Sequence, residues 1–196
     1  MKKKILDMCI NIISKNNNYS KDKLEAIRYG LEAIYLTVTK MFVIICIALT
    51  LGMVKEVFLL LITYNIIRSQ AFGLHASKSI YCLISSLISF IGGAFICKYI
   101  IIPKIVMIVL AIGCNVGLLL YAPADTYKRP LINDKKRKRF KFISFVLGII
   151  YSLIILFSNS KITNYLLIGM ILAVIMILPI TYKIFKLPYN NFKNYK

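Results

Sequence analysis

The sequence predicts an all-α, polytopic membrane protein of about six transmembrane helices, preceded by an N-terminal amphipathic interfacial helix. Three observations predict it. Of 196 residues, 59% are hydrophobic and 17% charged, whereas a soluble domain carries about a quarter charged residues. The mean hydropathy is +0.76. The apolar residues gather into runs approaching the ~20 residues that span a bilayer, with the basic residues between them. The formal charge of +19 therefore reads as orientation beside anionic lipid, not as a face for nucleic acid.

Taken in order, Ile5, Leu6, Cys9, Ile12 and Ile13 recur at helical spacing and predict a helix lying on the membrane surface. Its basic start, Lys2 to Lys4, leads into Lys15 and Asn16 to Asn18 with no long apolar core between, so no cleavable signal peptide is expected. After a polar stretch, Asn16 to Ser20, a helix is expected from Lys21 into the first span. The spans are Tyr35 to Val54, Val57 to Leu74, Ile80 to Ile96, Ile105 to Ala122, Phe142 to Phe157 and Tyr165 to Tyr182. These divide the chain into an interfacial region, 1–34, a transmembrane domain, 35–182, with a basic loop at 123–141, and a C-terminal tail, 183–196. The heavy use of Ile, Lys and Asn points to an AT-rich bacterial genome.

Orientation follows from alternate loops. With the amino terminus inside, inner segments hold 21 Lys and Arg residues against 4 outside: Lys55, Lys98, Lys104 and Lys161. Lys40 lies in the first span near its inner end and snorkels. This distribution predicts a multi-pass protein of the cell membrane with both termini cytosolic. The connection between spans two and three then also faces the cytosol.

The chemical inventory is small. Seven carboxylates occur, none inside a predicted span, so paired intramembrane aspartates cannot be built. A zinc protease of the His-Glu-x-x-His type is excluded by a single histidine. The five cysteines lack paired spacing, which argues against a disulfide framework or zinc site, and no metal or cofactor is expected. What remains is His75, seven residues before Cys82. Imidazole can take a thiol proton and stabilise the thiolate that attacks a carbonyl. Taken alone the pair is a weak signal, and an interfacial His beside a buried apolar Cys accounts for it as well. Both residues, however, fall near the cytosolic boundary, where water and a peptide reach them. Cys46, Cys97 and Cys114 lie in or beside spans and read as packing residues. Arg68, costly at mid-membrane, either binds a substrate carboxylate or snorkels as a topogenic charge, and Gln70 is a candidate oxyanion donor alongside backbone N–H groups.

The pattern Arg68-x-x-Ala71-x-Gly73-x-His75-Ala76, followed by Cys82, resembles the active-site stretch of the accessory gene regulator B (AgrB) family of bacterial quorum-sensing endopeptidases. A second match is Tyr121-Ala122-Pro123-Ala124-Asp125-Thr126, with Arg129-Pro130 and the basic run Lys135 to Arg139. Length and span pattern extend the likeness over essentially the whole chain, and Phe72 departs from the usual smaller or polar residue. The resemblance implies that the segment 68–82 is catalytic, with Cys82 as nucleophile, His75 as base, and Arg68, Gln70 and Gly73 in substrate binding or positioning. It implies an AgrD-like propeptide as partner, cut through an acyl-enzyme and closed into a thiolactone or lactone. A homodimer is compatible with the sequence.

A small peptide transporter or permease would explain the spans and charge but leaves Cys82 idle, and the internal repeats or broken midplane helices of such proteins are not evident. A noncatalytic membrane scaffold is the third reading.

Overall fold

The computed structural model describes residues 2–16, 19–74, 79–125 and 131–192. His75 to Lys78, Thr126 to Pro130 and residues 193–196 lie outside the described residues. The chain divides into two compact units, Met1–Ile47 and Ala48–Lys196.

The first unit holds α1 (Lys2–Asn16) and most of α2 (Lys21–Thr50). On α1, Leu6 is buried while Ile5, Met8 and Ile12 stay exposed. An exposed apolar row on a basic helix suits the headgroup layer of a membrane. Asp7 and Arg28 tie α1 to α2 through a 2.6 Å ion pair. Both side chains are nearly half exposed, so the pair adds little stability.

The second unit holds α3 (Val54–Ala71), α4 (Ser79–Leu87), a π-helical stretch (Ile88–Gly92), α5 (Gly93–Tyr99), α6 (Lys104–Tyr121), α7 (Asp134–Phe157), α8 (Ile162–Ile175) and α9 (Pro179–Ile184). The described residues contain no β-strand; one isolated parallel bridge pairs Phe72 with Ala124. Among the described residues, four stretches are long and apolar enough to cross a bilayer: Lys23–Thr50, Cys82–Tyr99, Lys104–Tyr121 and Asp134–Phe157. Helix α3 has 18 residues but carries Lys55, Glu56 and Arg68 in its end turns, where charged heads can reach the headgroups. Large side chains such as Phe58, Ile105, Val109, Ile112 and Phe157 are exposed. A surface this apolar belongs in lipid, and the protein is a polytopic membrane protein.

Three boundaries differ from the sequence expectation. The sixth apolar run is divided: α8 ends at Ile175 and the chain restarts at Pro179 as α9, because proline has no N–H for a continuing helix but suits a first turn. The basic run Lys135 to Lys141 is not loop but the opening turns of α7. Asn133 caps that helix, its Oδ1 accepting from the N–H groups of Lys135 and Lys136 at 3.0 and 3.2 Å, and Lys and Arg are good helix formers. Residues 187–192 are not a free tail: Leu187 N–H donates to the Tyr182 carbonyl, and the Tyr182 and Tyr189 rings meet edge to face at 5.0 Å.

Helix α3 packs against α5, α7 and α8, and α6 against α7 and α8. Small residues set the approach, as expected where lipid offers no hydrophobic drive for helix association. A Cβ on Gly169 would lie 2.5 Å from Thr63 Oγ1 and 3.0 Å from the Tyr64 nitrogen. Polar groups join the same seam. Thr63 Oγ1 donates to the Tyr165 carbonyl at 2.9 Å, and Tyr151 OH donates to the Thr63 carbonyl at 3.0 Å.

The connections of this unit gather at two ends. At one, Lys98 donates to the Gly52 carbonyl, Lys104 to the Ser158 carbonyl, and Asn164 to the Ile100 carbonyl. At the other, residues 72–74, 122–125, 176–178 and 189–192 are hydrogen-bonded into one layer.

Candidate active site

Helix α3 ends at Ala71, and the backbone that follows is fixed group by group. Phe72 N–H donates to the Arg68 carbonyl at 3.0 Å, Gly73 N–H to the Ala124 carbonyl at 2.8 Å, and Leu74 N–H to the Met176 carbonyl at 3.0 Å. In return Ala124 N–H donates to the Ala71 carbonyl at 3.0 Å. The carbonyls are satisfied from the other side. Arg68 spreads its guanidinium over three of them, donating to Phe72, to Gly73 at 3.2 Å and to Leu74 at 2.6 Å. A cation in the last turn answers the orphan carbonyls there.

Arg68 caps α3 and holds the chain up to the residue before His75. Gly73 is required twice. Its φ is +108°, a region closed to residues with a Cβ, and a Cβ there would collide with Arg68 Nη1 and stand 2.6 Å from the Met176 carbonyl. Phe72 also has positive φ, +58°, and its ring meets Phe140 edge to face at 5.0 Å. Gln70 donates to Ser69 Oγ at 3.2 Å, on the exposed end of the helix.

Cys82 is the fourth residue of α4, in its first turn. Cys82 is half-buried, whereas Cys97 and Cys114 are buried within the bundle. The Tyr64 ring of α3 meets Phe90 of the π-helical stretch edge to face at 5.2 Å, so the face of α3 that carries Arg68 also packs on the helix that follows Cys82. His75 lies outside the described residues.

Sequence reasoning missed two contributors. Tyr64 gave no motif signal, although it stands four residues before Arg68 and so shares its helix face. Asp125 was visible as a carboxylate in the second motif, but its role comes from burial. Only 2% exposed, it accepts from Asn191 N–H at 3.1 Å and Phe192 N–H at 2.8 Å, and faces Arg137 Nη1 at 3.8 Å. Its own carbonyl accepts from Tyr182 OH at 3.0 Å. Asp125 thus pins residues 189–192 and the start of α7 to the loop whose Ala124 pairs with Gly73. The Ala122-Pro123 bond in that loop is cis. Among the described residues no group of His, Cys, Asp and Glu could hold a metal ion.

The profile of the accessory gene regulator B family matches residues 6–177. The chain belongs to that family. A putative AgrB-like protein of Clostridium acetobutylicum is 28% identical over all of this chain and 96% of its own length. One of Listeria innocua is 34% identical over 87% of this chain and 84% of its own. The accessory gene regulator protein B of Staphylococcus aureus is 29% identical over 90% of this chain and 94% of its own. No solved structure matches. As an AgrB-family protein, the chain belongs with accessory gene regulator, quorum-sensing, systems.

Proposed function

We propose that this AgrB-family chain is a membrane cysteine endopeptidase that cleaves an AgrD-like signalling propeptide and closes it into a ring. The observation that carries this is the half-buried Cys82 thiol in the first turn of α4, eight residues after a backbone segment held by Arg68, Ala124 and Met176. Hydrogen bonding of that kind is what a catalytic group needs upstream of it.

His75 takes the proton from Cys82, and the thiolate attacks the peptide carbonyl. The tetrahedral oxyanion collapses, the C–N bond breaks, and the imidazolium gives its proton to the departing amine of the C-terminal fragment. The peptide remains as a thioester on Cys82. A substrate Cys thiol or Ser hydroxyl then gives its proton to His75 and attacks that thioester, leaving a thiolactone or lactone and restoring the Cys82 thiol. Exchange between thioesters is nearly isoenergetic, so the site must exclude water. A position at the membrane boundary serves that need. The charge distribution supports a cell-membrane protein with both termini and this site on the cytosolic side.

Purified protein reconstituted with the propeptide tests this by product mass. The expected products are a linear C-terminal fragment and an N-terminal fragment lighter than its hydrolysed form by one water. Intact propeptide, under conditions where the protein is inserted, would overturn it.

A further inference from the structure

At the same end of the second unit lies a pocket of about 460 Å³ between the end of α6, the Pro123 loop, the start of α7 and residues 189–190. Its charged wall is Arg137, Lys138 and Lys141 with the one carboxylate Asp134, and its apolar wall includes Leu120, Tyr121 and Pro123. Arg137 is mostly buried, its guanidinium packed on the Phe192 ring, yet its Nη1 is buried without a hydrogen-bond acceptor. Asp125 Oδ2 stands 3.8 Å away, beyond hydrogen-bond reach. The two form an ion pair at that separation, and Lys138 and Lys141 add positive charge to the pocket lining beside it.

We propose that the pocket binds the phosphate of an anionic phospholipid headgroup. Arg137, Lys138 and Lys141 supply the charge for a phosphate, and basic pockets between helices on the cytosolic side of membrane proteins suit such headgroups. Leu120, which lines the pocket, is 61% exposed, as is Phe142 beside Lys141 at 68%. Acyl chains leaving the pocket would run along that surface. The pocket wall also continues into the site described above, because the loop holding Pro123 carries Ala124, bonded to Ala71 and Gly73. A bound lipid would brace that loop, and this holds whichever reaction the site performs.

The test uses full-length protein in nanodiscs of phosphatidylcholine with or without phosphatidylglycerol, with retained lipid counted by native mass spectrometry. The K138Q/K141Q double variant should lose at least about fivefold in retained phosphatidylglycerol. The K135Q/K136Q variant, with the same charge change on exposed residues of the same run, should lose less than twofold. Equal losses in the two would reduce the effect to general surface charge and overturn the proposal. So would unchanged retention in K138Q/K141Q, or displacement of the lipid by inorganic phosphate or by a carboxylate-rich peptide at millimolar concentration, which would assign the pocket to a free anion or to a peptide.

Discussion

The Arg68 guanidinium donates to the Leu74 carbonyl at 2.6 Å, spanning from the last turn of α3 to the residue that precedes His75. Arg68→Lys keeps the charge but loses the planar fork that reaches three carbonyls. Peptide cleavage should fall by at least tenfold with membrane insertion unchanged, since the charge that orients the loop remains. Cleavage rates and a protease-protection assay on the same preparation check this.

Gly73→Ala should be worse than its size suggests. The substitution demands a positive φ from alanine and a Cβ pressed against Arg68 and the Met176 carbonyl. Strain of about 1–3 kcal/mol is expected, relieved by displacing residues 72–74. A loss of activity with a lower melting temperature in detergent is the expected result.

Asp125→Asn removes the charge facing Arg137 and weakens the acceptors for Asn191 and Phe192. Leaving Arg137 buried without its counter-ion should cost about 3–5 kcal/mol. The released C-terminal residues should become sensitive to trypsin at Lys183 and Lys186, at concentrations that leave the unaltered protein intact.

Much of this architecture could be read from the sequence, because lipid makes apolar runs and basic loops decisive. The first, third and fourth spans match helices within a few residues at most boundaries, since nothing competes with helix inside a bilayer. The sixth run divides into α8 and α9, a break that hydropathy does not carry because it is blind to the missing N–H of Pro179. The basic run opens α7 instead of forming loop, because charge marks the membrane boundary and not the end of a helix. At the site, Arg68 and Gly73 could be picked out by type, but not their partners. The Ala124 and Met176 carbonyls that fix residues 73 and 74 come from distant segments, and backbone acceptors leave no trace in side-chain identity. Asp125 stayed without a role for a related reason: its ligands are the N–H groups of residues 191 and 192.

Topology gives an independent check. Reporters fused after Ala76, or within Lys135 to Arg139, should read cytosolic, and one after Lys161 external. An external signal at Ala76 would move the site to the other side of the membrane.

The most direct test of the central claim is the cleavage rate of a protein whose single remaining thiol is Cys82. With Cys9, Cys46, Cys97 and Cys114 changed to Ala, reconstituted protein should still cut the propeptide, within about threefold of the unaltered rate, and add the mass of the N-terminal fragment to Cys82. Adding C82A to that background should abolish both cleavage and adduct while insertion persists. Cleavage at a comparable rate without Cys82 would contradict the account.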